Sequence, residues 1–214
     1  MSDGTFTPAL GRLGPARFFD AVVALSRERL WRSLAVAYLA PRPDDVIVDV
    51  GCGTGTLAAF ISSVEPQAEV IGIDPDPEML RVARHKFPDS VVRWHQGMGD
   101  AVATTLGAES VTAVVSSLVL HQCPIPVKEA ILASMFTALR SGGRLVIADF
   151  GVQRTLLMRT AFRIVQLADG KADTQPNADG IVPELIAAAG FRDVHEAAVV
   201  STVTGSISIY VARK

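Results

Sequence analysis

Two carboxylates and three glycines stand where this chain could hold a polar ligand against its own backbone. Asp49 lies near the end of an apolar run in "VIVDVGCGTGTL", and Gly51, Gly53 and Gly55 follow it. Asp74 ends a second apolar run about 20 residues beyond the last of these glycines, where an acid accepts hydrogen bonds from ribose hydroxyls in nucleotide-binding α/β folds. Glycine takes positive φ without strain and carries no Cβ, so a ligand can approach such a turn closely. The first amides of the following helix favour a negative group. Asp49 asks for the opposite, a cation or hydrogen-bond donors.

Three readings compete. A turn that only links strand to helix accounts for the glycines but leaves both acids without a purpose. A dinucleotide would want a third motif glycine at position 56, where the chain has Thr56, and Asp49 would repel its pyrophosphate. S-adenosyl-L-methionine suits the pattern better. Its ammonium can meet Asp49, its carboxylate the loop amides and its ribose Asp74, with Pro75 and Met79 as an apolar wall for the nucleoside.

These residues need strands to carry them. Residues 46–50, 69–74, 91–95, 111–116 and 144–149 read as strands, the fourth apolar on both faces as a central parallel strand is. Helical spacing falls between them at residues 56–64, 77–85 and 125–140. Asp76 suits the N-cap of the second of these helices and Pro77 its first position, while Gly142 and Gly143 are expected to end the third. Such alternation predicts a doubly wound parallel sheet with helices on both faces. Residues 156–167 and 182–189 read as further helices. Strands at 194–200 and 206–212 then follow with no helix between them, so they must pair antiparallel. Upstream, residues 15–40 form a helical segment that includes Phe18 and Phe19 and is stopped by Pro41 and Pro43. The polar stretch "ADGKADTQPNADG" reads as a mobile flap.

The 214 residues carry a net charge of −2 and no long basic run, which argues against nucleic acid and a polybasic membrane anchor. Mean hydropathy is +0.33, yet the apolar stretches fall short of the ~18 residues a membrane span requires. The N-terminus lacks a signal-peptide layout, so a cytoplasmic chain is expected. The two cysteines, Cys52 and Cys123, have no zinc spacing and read as free thiols, with no metal implied. One domain is expected: a helical segment at 15–40, a cofactor-binding core at 44–150, a helical lid or flap at 151–190 and a hairpin at 191–214.

"VDVGCGTG" followed by "VIGIDPDPEML" resembles the class I S-adenosylmethionine-dependent methyltransferases. "GDAVATTLGAESVTAVVSSLVLHQ" and "ALRSGGRLVIADFG" extend the likeness. "AGFRDVHEAAVVSTVTGSISIYVARK" and "FFDAVVALSRERLWR" are similar to the ubiquinone/menaquinone-biosynthesis branch. The resemblance implies a Rossmann-like, seven-stranded, mostly parallel sheet with one antiparallel strand near its C-terminal edge. It also implies that Asp49, Gly51, Gly53 and Gly55 hold the methionine part, with Cys52 inside that turn. Asp74 would hold the ribose, Asp100 and Ala101 the adenine, and Ser116 and Leu118 would line the methyl-donor side. Departures are Thr112 where many relatives carry Asp, "TTL" for Leu-Pro-Phe, Phe19 for Tyr, and "LHQCP" after the fourth strand.

The implied activity is methyl transfer to carbon or oxygen of a small, largely apolar acceptor (a quinol, phenol or enol) by a monomer or homodimer. The alternatives are a non-catalytic cofactor-binding module and an NAD-dependent oxidoreductase. His121, just past the fourth strand, is the candidate general base; the competing reading is a histidine that caps a backbone carbonyl and shapes the pocket. His85, His95 and His195 read as structural or surface residues. The segment from Phe150 to Asp179 and the N-terminal helix are expected to choose the acceptor.

Overall fold

Strands that are apolar on both faces require a helical layer on each side, and the computed structural model, which describes residues 27–214, has that arrangement. The strands are β1 (Val46–Val50), β2 (Glu69–Asp74), β3 (Arg93–Gln96), β4 (Val111–Ser117), β5 (Leu139–Phe150), β6 (Arg192–Thr202) and β7 (Gly205–Arg213). They form one seven-stranded sheet in the order β3-β2-β1-β4-β5-β7-β6. β1 to β5 are mutually parallel, and β7 runs antiparallel to both β5 and β6, the single reversed strand.

The helices are α1 (Glu28–Leu39), α2 (Thr56–Val64), α3 (Pro77–Lys86), α4 (Val102–Leu106), α5 (Ile125–Ala138), α6 (Leu156–Asp169), α7 (Lys171–Asp179) and α8 (Val182–Ala188). One core cluster joins α1, α2 and α6 to the sheet through Trp31, Leu57, Ile61 and Phe162. The other joins α5 and α8 to the opposite face through Leu132, Met135 and Ile186. Chain order reverses between β1 and β4. A crevice opens at the carboxyl ends of strands at such a switch point, where α/β folds bind ligands.

Most expected elements stand within a residue or two of their places. Asp76 caps α3 through the amide of Glu78, at 2.8 Å, with Pro77 inside the first turn. Two expectations need correction. The helix expected at 125–140 ends at Ala138, and Gly142 and Gly143 lie inside β5, because Leu139 already pairs with Val111. The polar flap is helix α7, with Thr174 and Asn177 buried. The first part of the N-terminal helix, residues 15–26 with Phe18 and Phe19, lies outside the described residues.

Thr112, near the start of β4, ties that strand to the segment before β1. Its hydroxyl donates to Asp45 at 2.7 Å, and Asp45 also pairs with Arg144.

α7 is ordered by charge. Lys128 of α5 is fully buried and donates to the Asp173 carbonyl at 2.8 Å and to Asn177 Oδ1 at 2.6 Å; Asn177 in turn donates to the Phe150 carbonyl at 3.3 Å. Burial lowers the Lys128 pKa, and the charges of Asp149, Cys123 and Asp173 oppose that shift. Lys128→Met fills the space but leaves two buried acceptors without a donor, at about 1–3 kcal/mol each. The expected result is a lower denaturation midpoint and faster amide exchange in α7; unchanged exchange there would contradict the anchoring role.

Candidate active site

β1, β2 and β5 each carry an aspartate at or near the carboxyl end, and the three meet different fates. Asp74 accepts from the Gly53 amide at 2.8 Å through one oxygen and from the Asp76 amide at 2.9 Å through the other. Burial raises its pKa and these amides oppose the rise. Asp149 collects more donors. One oxygen faces the amides of Val119, Leu120 and His121 at 3.1, 2.7 and 3.4 Å; the other takes the Phe150 amide at 2.7 Å and His121 Nδ1 at 2.8 Å.

Asp49 is fully buried, and among the described residues neither of its oxygens has a hydrogen-bond partner. Desolvation raises its carboxyl to about 7; Arg32 pulls it down, Asp74 pushes it up and the nearby Ala58 amide pulls it down slightly. Arg32 is itself paired with Glu28 and lies over the Trp31 ring.

The glycine turn is laid across β2. The amides of Gly51 and Cys52 donate to the Ile73 carbonyl at 2.8 and 3.0 Å. All three glycines have positive φ, but for different neighbours. A Cβ at Gly51 would lie 2.2 Å from Val119 Cγ2, and one at Gly55 would lie 2.5 Å from the Trp94 ring. A Cβ at Gly53 would meet nothing within 4 Å. Gly51 and Gly55 therefore let the protein pack on itself, whereas Gly53 leaves its face open beside Asp74. The Cys52 thiol lies over Gly72 in the protein interior, and burial raises its pKa, so Cys52 can offer a ligand only its backbone.

The remaining expected residues sit along the same edge. Met79 is buried in the first turn of α3, and the Pro75 carbonyl accepts from Gln96 at 3.2 Å. Asp100 is exposed and Ala101 half-buried in a 3-10 turn after β3, and that strand's end is tied to Asp74 by the Gly97 amide at 3.1 Å. The Ser116 hydroxyl donates to the Val50 carbonyl at 2.7 Å, bracing β4 against β1. Leu118 takes a left-handed φ of 56°, strained for a residue with a side chain, as the chain leaves β4.

His121 is buried, with Nδ1 against Asp149 and Nε2 3.4 Å from Asp169 at the end of α6. Burial pushes its pKa down, but the two carboxylates more than reverse that and raise it to about 9. The ring is therefore an imidazolium at neutral pH, with both nitrogens committed.

Arg32, Asp149 and Asp169 were not singled out by sequence reasoning. Asp149 had a readable signal, since "IADFG" repeats the layout of "IVDVG" and "GIDPD". Asp169 had none, because it meets His121 only through the fold.

Residues 47–143 match the model of a family described as a methyltransferase domain. A demethylmenaquinone methyltransferase of Renibacterium salmoninarum is 30% identical over 78% of this chain and 69% of its own length. The chain belongs to the class I S-adenosylmethionine-dependent methyltransferases. A malonyl-[acyl-carrier protein] O-methyltransferase of Methylococcus capsulatus is 32% identical over 69% of this chain and 52% of its own length. The chain thus spans about half to two thirds of the curated relatives it matches. Magnesium protoporphyrin IX methyltransferase from Synechocystis, solved with bound S-adenosylhomocysteine, shares the fold: TM-score 0.69 and 20% identity, covering 94% of this chain and 90% of that one.

The residues present fit the family's cofactor. Asp49 has no hydrogen-bond donor among the described residues, which suits a cationic group such as an α-ammonium, and Gly53 leaves backbone accessible next to Asp74. Ionising Asp49 penalises the folded chain, since its carboxyl titrates near 7 instead of 3.8. Stability from this group is greatest below about pH 4 and declines as pH rises to about 7. Asp49→Asn removes the penalty, on the order of a few kcal/mol. The variant is expected to melt higher than the parent at pH 8 and to lose the rise in Tm that S-adenosylhomocysteine gives the parent. Retained ligand stabilisation would contradict the assignment.

The glycines offer a second check. Gly51→Ala should lower the melting temperature more than Gly53→Ala, through its left-handed φ together with its contact with Val119. Gly53→Ala should cost only about 1–2 kcal/mol of stability from its left-handed φ, yet weaken S-adenosylhomocysteine binding at least about tenfold, as calorimetry would read.

Proposed function

We propose that this chain transfers a methyl group from S-adenosyl-L-methionine to a carbon or oxygen of a small, largely apolar acceptor of the quinol, phenol or enol type. The observation that carries the reading is the buried Asp49, without a hydrogen-bond partner among the described residues, beside a turn with an open glycine face. The quinone-pathway relative supports the acceptor class, and the acyl-carrier relative keeps oxygen in view as the receiving atom.

Bound in this crevice, the cofactor supplies a methyl group already activated by its sulfonium, so the protein's task is alignment. Asp49 would hold the ammonium as a carboxylate, its proton released to solvent, and the pair would offset the desolvation that each otherwise suffers. Asp74 is held by the Gly53 and Asp76 amides, which leaves lone pairs for two ribose hydroxyls. Asp100 and Ala101 would hold the adenine, the carboxylate as acceptor for its amino group. Ser116 and Leu118 set the wall past which an acceptor approaches, and Asp149 holds that wall through the amides after β4.

His121 has a positioning role in this reading. An imidazolium clamped by two carboxylates has no free lone pair with which to accept a proton, and it fixes α6 over the loop after β4. Cytoplasmic placement, a single domain and a monomeric or dimeric state belong to the same proposal.

The test is a methyl-transfer screen with S-adenosylmethionine over quinols, phenols, enols and amines, paired with titrations of S-adenosylhomocysteine and NAD. Turnover of an apolar quinol or phenol and binding of S-adenosylhomocysteine alone are expected. Tight NAD binding without S-adenosylhomocysteine binding would reject the reading. At saturating S-adenosylmethionine, turnover should be flat from about pH 6 to about pH 8.5 in the parent chain, because His121 holds its proton up to about 9; cofactor affinity alone should fall below about pH 7, where Asp49 is protonated. A parental acid limb near pH 6.5 that vanishes in His121→Gln would make the histidine the base after all.

A further inference from the structure

α6 is apolar toward water as well as toward the core. Phe162 and Val165 are buried against the sheet, and Asp169 reaches His121. Leu156, Leu157, Ile164 and Leu167 point away, with exposures of 79, 80, 60 and 84%. At 3.6 residues per turn the four lie within an arc of about 100°, which they share with the exposed Thr160. Isolated exposed leucines are ordinary, but a contiguous apolar face marks a contact surface.

The flank of this face is cationic. A cleft of about 550 Å³ separates α6 from α7, and Arg159, Arg163 and Lys171 line it against a single carboxylate, Asp179. Arg159 donates through Nε to the Gln153 carbonyl at 3.0 Å, and Gln166 donates to Gln175 across the cleft at 2.9 Å. Asp179 accepts from Gln175 at 2.8 Å. Among the described residues, Arg163 and Lys171 form no ion pair.

We propose that α6 docks the protein on an anionic lipid surface, with Leu156, Leu157, Ile164 and Leu167 among the acyl chains and the Arg159–Arg163–Lys171 cleft around a headgroup phosphate. A helix lying in the interface combines an apolar arc with flanking cations in this way. Charge complementarity selects lipid over a second copy of the chain, because the same cations would face each other across a symmetric contact. No helix among the described residues is long and apolar enough to cross a membrane, so the contact is peripheral. Docking brings the α6–α7 side of the molecule to the phase in which apolar acceptors partition, yet it stands independently of which acceptor is used.

The experiment is cosedimentation of the full chain with vesicles of phosphatidylcholine alone and of phosphatidylcholine with an equal part of phosphatidylglycerol, at about 0.1 M and about 0.5 M salt. Binding to the anionic vesicles is expected, weakened by salt. Leu157→Asp or Leu167→Asp should reduce it at least tenfold, and Arg163→Gln and Lys171→Gln about fivefold each. All four variants should bind S-adenosylhomocysteine as the parent does, which shows that they are folded and separates this test from that of the methyl-transfer reading. Absence of vesicle binding, binding indifferent to these substitutions, or a dimer that Leu157→Asp dissolves without any vesicle binding would overturn the proposal.

Discussion

A carboxylate at the end of a buried strand must find N–H groups or lose much of its hydration without compensation. The crevice of this protein depends on how that demand is met three times. Asp74 takes the amides of Gly53 and Asp76, so the glycine turn and the start of α3 are tied to one side chain. Asp149 takes four amides and an imidazole, and with them shapes the backbone that leaves β4. Asp49 takes none. Two of the three carboxylates complete the protein's own structure, and the third stands buried without a hydrogen-bond partner among the described residues. This contrast gives the site its polarity: a fixed rim and one unsettled charge.

The same demand links the crevice to the α6–α7 pair. His121 joins Asp149 to Asp169, and Lys128 joins α5 to the backbone and side chain of α7. Charged hydrogen bonds thus hold these helices alongside the Phe162 and Val165 contacts. Broken singly, such bonds strand a buried partner, so the pair is held in one position over the ends of β4 and β5. Much of the apolar surface of α6 is left over from this arrangement and faces outward.

How much of this was legible varied with the kind of signal. The strands and the glycine turn were readable because apolar runs, glycines and caps act within a few residues. Gly142 and Gly143 misled for the same reason: a glycine pair after a helix looks like its stop, but Leu139 had already found Val111 on another strand. The polar segment before Gly180 reads as loop by composition, yet it is helical because Lys128, some forty residues upstream, supplies the donors its inner face needs. His121 was visible as a histidine near the site. Its two carboxylates lie on β5 and α6, and no local pattern announces them together.

By itself, then, the sequence determined the order of elements, the doubly wound sheet and the acids near the ends of β1 and β2, since these follow from local periodicity and backbone preference. Tertiary structure alone decided which glycine faces open space, which carboxylate lacks a partner and whether His121 carries a proton. Those properties depend on burial and on distances between atoms far apart along the chain. Val119 lies over Gly51, and Asp169 meets His121, only once β1, β4 and α6 share one end of the sheet.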